Sequence, residues 1–81
     1  RLDFWLRLIE NAFQVAPDNF SLLLGAELGE EDLEPCGLIY QPYEVGPHRG
    51  VVGVLGPARL KYRQIIPLVN YFAKTLAEIG S

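Results

Sequence analysis

The sequence predicts an α+β domain: a small antiparallel three-stranded sheet with two helices, in the order α-β-β-β-α. Apolar residues recur at three- and four-residue steps at both ends of the chain. Between them lie three short apolar runs separated by glycine, proline and acidic residues. The composition, 49% apolar and 21% charged, is that of an ordinary globular protein. With 81 residues the chain has room for one domain, 1–81, which buries only about 60% of its unfolded surface and so has a thin core.

The first helix is read from Leu2, Trp5, Leu6, Ile9, Ala12 and Phe13 on one face. Asp3, Arg7, Glu10, Asn11 and Gln14 fill the other. Ala16-Pro17-Asp18-Asn19 stops it, because proline cannot continue a helix and Asp/Asn favour turns. Phe20–Leu24 is a short, nearly continuous apolar run whose length and flanking turn signals predict a buried strand, although its periodicity alone also fits a helix. Gly25–Pro35 is acidic and contains Gly25 and Gly29, so an exposed loop is expected. Residues 37–41 form the second strand. Pro42 lacks an N–H, which puts that strand's end at an edge or a bulge. Glu44–Arg49, with Gly46-Pro47, is expected to be a turn into the third strand, 50–56, antiparallel to the second. Pro57 is expected to open the last helix, whose face is Tyr62, Ile65, Ile66, Val69, Phe72, Ala73 and Leu76. Pro67 is expected to kink that helix or mark a restart, and Gly80 to cap it. Both helices are expected to cover one face of the sheet.

The chemistry-bearing residues form no catalytic or metal constellation. His48, the only histidine, follows Gly46-Pro47 with no ligand-spaced neighbour. Cys36, the only cysteine, has no disulfide partner, which favours a reducing, cytoplasmic setting. The glycines Gly50, Gly53 and Gly56 match neither a dinucleotide fingerprint nor a P-loop, and the carboxylates of Glu27–Glu34 do not have the EF-hand spacing. No apolar run approaches the ~20 residues of a membrane span. The net charge of −3 argues against a surface that grips nucleic acid. The acids crowd into Glu27–Glu44, and the bases into Arg49–Lys74. The chain begins at Arg1 and has no methionine, from which a fragment of a larger protein is expected.

One segment carries more. Gly50, Gly53, Gly56, Pro57, Arg59 and Tyr62 reproduce the pattern G-x-[IV]-G-[VI]-[IL]-G-P-x-R-M-x-Y. Leu24-Gly25-Ala26-Glu27 and Leu38-Ile39-Tyr40 with Tyr43 add looser matches upstream. The chain thus resembles the HrcA family of heat-inducible transcription repressors. Leu60, Lys61, Ala58 and Cys36 depart from the usual Met, acidic residue, Thr and Ser, and the Gly-Pro-x-Arg centre is intact. The resemblance implies the last part of a GAF-like domain (a GAF-like half-domain), in a protein with an N-terminal winged helix and an inserted dimerising subdomain. It implies an inverted-repeat operator ahead of chaperone genes, bound only through the winged helix, and chaperonin as a partner.

The function expected is that of a non-catalytic regulatory and dimerisation domain, cytoplasmic and homo-oligomeric, without a cofactor or a membrane. A GAF-like small-molecule sensor is the alternative. Phe4, Trp5 and Leu8 widen the first helix's apolar stripe and are expected at an interface. Arg59, Lys61 and Arg63, read as the opening turns of the last helix, oppose its dipole. Arg59 is therefore expected to clamp the strand-to-helix turn through a carboxylate of Glu27–Glu34 or loop carbonyls.

Overall fold

The structure, a computed structural model, describes residues 2–80. Its elements are α1 (Leu2–Ala12), β1 (Ser21–Leu24), β2 (Cys36–Val45), β3 (His48–Pro57) and α2 (Tyr62–Ile79), in the expected order. β2 is the central strand of an antiparallel sheet ordered β1-β2-β3. Val45 pairs with His48, so Gly46 and Pro47 alone make the hairpin turn. Gly46 has φ 58° at the first central position, where a type II′ turn places glycine because its twist suits a right-twisted hairpin.

The two long strands exceed their expected limits. β2 runs on through Pro42, which is paired with Val51 of β3. The ladder to β1 stops at Tyr40, so the missing N–H falls where the far edge of β2 has no strand beside it. β3 likewise continues to Pro57, which ends the strand instead of opening the helix. Ala58 prolongs the ladder by donating to the Pro35 carbonyl at 2.9 Å. α2 starts only at Tyr62 and continues without interruption past Pro67, which is exposed and forgoes the bond its N–H would make to Arg63. Gly80 is the C-cap, as expected, but with right-handed backbone (φ −85°), and its N–H donates to the Leu76 carbonyl at 3.2 Å; a Cβ there would collide with Val45.

The helices lie on opposite faces of the sheet, not on one. Leu38 and Tyr40 of β2 pack with Phe4 and Ala12 of α1, while Ile39 between them packs with Tyr62 and Val69 of α2. Successive strand residues point to opposite sides, so the two clusters are separate cores back to back. The reason lies in β2, where residues 37–42 are all buried. A strand covered on both faces needs a cover on each. Gln41, 2% exposed, joins the layers through its Nε2, which donates to the Pro17 carbonyl at 3.2 Å and to Asn70 Oδ1 of α2 at 3.1 Å.

The acidic segment is more structured than an exposed loop. Two 3₁₀ turns, Gly25–Leu28 and Glu31–Leu33, shape it. Leu28 plugs the α1 core at 3% exposure, and Glu27 Oε1 accepts the Leu24 N–H at 2.9 Å.

Candidate functional site

The motif residues gather on β3 and the turn that leaves it. Tyr62 is their anchor. It is buried, and its hydroxyl donates to the Pro57 carbonyl at 2.8 Å, with the Gly56 carbonyl at 3.2 Å. Burial pushes the phenol above its ordinary value of 10.0, neighbouring Cys36 adds to the rise, and the Gly37 backbone pulls the other way. The phenol therefore stays protonated, as a donor must, across ordinary pH. Gly53 is required by close approach: a Cβ there would lie 2.9 Å from the Ile39 carbonyl oxygen, backbone that cannot swing aside. Replacing Tyr62 by Phe is expected to cost about 1–1.5 kcal/mol, because the Pro57 carbonyl loses its donor. The urea midpoint should fall with the slope unchanged.

Arg59 does not make the clamp. It lies in the Ala58–Lys61 turn, exposed, with no hydrogen bond or ion pair to a described residue. Of the three cations only Arg59 stands clear of the helix start; Lys61 is its N-cap and Arg63 its second residue, so these two still face the positive end of the dipole, and Tyr62 holds the turn in place of Arg59.

A guanidinium clamp does exist, at Arg49. Its two terminal nitrogens donate to the carbonyls of Phe13 at 2.6 Å and Val15 at 3.0 Å, just past the end of α1. The guanidinium carbon sits 5.4 Å from the centre of the Phe13 ring. The buried Nε has no hydrogen bond but is 3.5 Å from Glu44 Oε2. α1 has no basic residue in its last turn, so a cation from the β2–β3 hairpin serves the negative end of its dipole. That bare helix end was the one sequence signal for Arg49.

Of the expected interface residues, Phe4 is corrected to a core position: it is 6% exposed, among Ala12, Leu28, Leu38 and Tyr40. Leu8 is half-buried against the same cluster. Trp5 is 41% exposed and meets Phe4 edge to face at 4.9 Å. Leu6, Ile9 and Phe13 are exposed beside it. An open apolar cleft of about 470 Å³ separates this helix from the β3 side of the sheet, with Trp5, Ile9, Phe13, Val51 and Leu55 in its walls and Arg49 at its rim. A second exposed apolar stripe runs along α2 through Leu68, Tyr71, Phe72, Leu76 and Ile79. Among the described residues no three His, Cys, Asp or Glu side chains could hold a metal ion, and no helix is long and apolar enough to cross a membrane.

Fold and motif thus define a small α+β module whose distinguishing residues fix a strand-to-helix turn. The model of the HrcA protein C terminal domain matches residues 3–66, from α1 into the first turns of α2, and the chain belongs to the HrcA family. It is similar to proteins named heat-inducible transcription repressor HrcA from several bacteria. The Fusobacterium nucleatum protein is 32% identical over 74 residues, 90% of this chain and 21% of that one. The Methylococcus capsulatus protein is 46% identical over 54 residues, 65% of this chain and 15% of that one. The Caulobacter vibrioides protein is 40% identical over 60 residues, covering 72% and 17%. The chain spans about a fifth of the length of these relatives. No solved structure matches it.

Proposed function

We propose that this chain is a non-catalytic regulatory and association domain of a heat-inducible transcription repressor, working in the cytoplasm. In this reading it completes a GAF-like domain and helps fix the spacing of two DNA-binding domains on an inverted-repeat operator. Operator contact belongs to a winged helix elsewhere in the protein, and chaperonin acts on the assembled repressor. The family match across residues 3–66 carries the proposal. Two physical features support it. The net charge is −3, unsuited to gripping phosphates. The exposed apolar faces of α1 and α2 suit contact with the rest of the protein or with a second copy, since a two-fold operator needs a dimer of fixed geometry.

The test combines DNA titration with sedimentation. The 81-residue chain should show no sequence-specific anisotropy change with inverted-repeat operator DNA at low salt, while the whole repressor binds it. It should also self-associate between low and high micromolar concentration. Specific binding by the isolated chain would place operator contact here after all. A monomer at every concentration would remove the association role.

A second reading, a small-molecule sensor, is favoured by the cleft beneath α1. Its volume of about 470 Å³ lies within the range of ligand pockets, roughly 300–1,000 Å³. Denaturing the purified protein and finding a released small molecule by mass spectrometry would support that reading; an empty spectrum would leave the first.

A further inference from the structure

We propose that α1 is a thermally releasable latch, which undocks from the sheet at a lower temperature than the β-sheet–α2 unit melts. The two helices are held very differently. α2 has 18 residues, packs on both β2 and β3, and buries Tyr62, Val69 and Ala73, the first two against Ile39 and its neighbours. α1 has 11 residues and packs chiefly on β2. It buries only Phe4 and Ala12 fully, and on its β3 side the cleft takes the place of packing. Apolar atoms lining a cleft lack partners on one side and lose the dispersion contacts that a filled core provides. A helix of this length is marginal in water once undocked, since isolated helices need about 12–15 residues to persist even in favourable sequences.

What holds its far end is polar and specific. The Arg49 fork reaches the Phe13 and Val15 carbonyls from the hairpin. Gln41 holds the Pro17 carbonyl a little further on. Elements with few buried apolar contacts open locally at lower free energy than the global core. Release of α1 would bare Leu38, Tyr40 and Val51 on the sheet face it covers, beside Leu55, which is already exposed. In the repressor reading, on which its purpose rests, heat would then alter one association surface while the rest of the domain stays folded.

Trp5 is the only tryptophan, and it rides on α1 against Phe4, so its emission follows the surroundings of this helix, and comparing two concentrations separates undocking from dissociation of copies. The experiment heats the 81-residue chain at two concentrations, following Trp5 emission and, in parallel, hydrogen exchange of the β2 amides 38–41. The Trp5 midpoint should fall at least about 5 °C below the loss of β2 protection, a gap set by roughly 1 kcal/mol in a domain this size. Arg49→Lys, which keeps the charge but can no longer span two carbonyls, should lower the Trp5 midpoint further and leave the β2 midpoint in place. Coincident midpoints in the unaltered chain would overturn the latch. An Arg49→Lys variant that shifts both midpoints together, or neither, would overturn it too. The DNA titration tests the repressor role separately, so the two can fail independently.

Discussion

Replacing Ile39 by Ala is expected to remove most of this domain's stability and to lower its melting midpoint by more than about 15 °C. Ile39 is 0% exposed and stands at the centre of β2. It faces Leu22 of β1 and Val54 of β3 across the two ladders, with Tyr62 and Val69 of α2 above. Truncating a fully buried Ile costs about 2–5 kcal/mol, the upper part where the surroundings cannot collapse into the hole. Collapse is blocked here, because the hydrogen-bonded ladders fix both neighbouring strands and a separate core occupies the other face of β2. A loss of about 3–4 kcal/mol consumes most of the 5 or so that a domain this small can be expected to have. Circular dichroism should show the melting midpoint falling by more than about 15 °C, at roughly 4–8 °C per kcal/mol. Ile39→Val, a loss of about 1 kcal/mol, should stay folded. An Ile39→Ala protein that melts within a few degrees of the parent would mean that the α2–sheet core is not the principal one.

The same strand shows what could be read from the sequence and what could not. Leu38-Ile39-Tyr40 is a continuous apolar run followed by buried Gln41 and Pro42. A run without alternation signals a strand buried on both faces. A helical stripe shows only that a helix has a face to bury, not which strand residues need cover, so the stripes alone do not reveal that the helices take opposite faces. Element order and the hairpin were legible because Gly46-Pro47 and the terminal helical periods are local features. The motif Gly50–Tyr62 was legible as a pattern, but its division between strand, turn and helix was not. Pro57 suits a helix start as well as a strand end, and only the Pro35–Ala58 bond decides. Arg49, not Arg59, makes the clamp for a related reason: which guanidinium finds carbonyls depends on where a distant element ends. Arg49 lies 36 residues from Phe13 in sequence and meets it only because α1 and the hairpin share one side of the sheet. The two exposed apolar faces are only half legible, since periodicity shows that a helix is amphipathic but not which part of its stripe the same chain covers.

Replacing Gly37 by Val should destabilise the domain by about 3–4 kcal/mol, comparable to the Ile39 truncation but for the opposite reason, too many atoms rather than too few. Gly37 is buried in β2 opposite Gly56 and beside Leu24. A Cβ built on it would lie 2.6 Å from the Tyr62 hydroxyl oxygen, 2.8 Å from Tyr62 Cζ and 2.7 Å from Leu24 Cδ2. No side chain tolerates such distances, so something must move. Tyr62 is the wrong group to move, because its hydroxyl is tied to the Pro57 carbonyl and its ring fills the α2 core. Overpacking costs about 1–3 kcal/mol, and pushing the phenol off Pro57 adds about 1 more. Gly37→Ala should cost about 2 kcal/mol by the same route. This close approach makes the two sites interdependent. In a Tyr62→Phe background the hydroxyl contact at 2.6 Å is gone, so Gly37→Ala should cost at least about 0.5 kcal/mol less than in the parent, the coupling expected of residues in contact. Urea denaturation of the four proteins measures it directly. Strict additivity would show that Gly37 is small for a reason other than the tyrosine that lies on it.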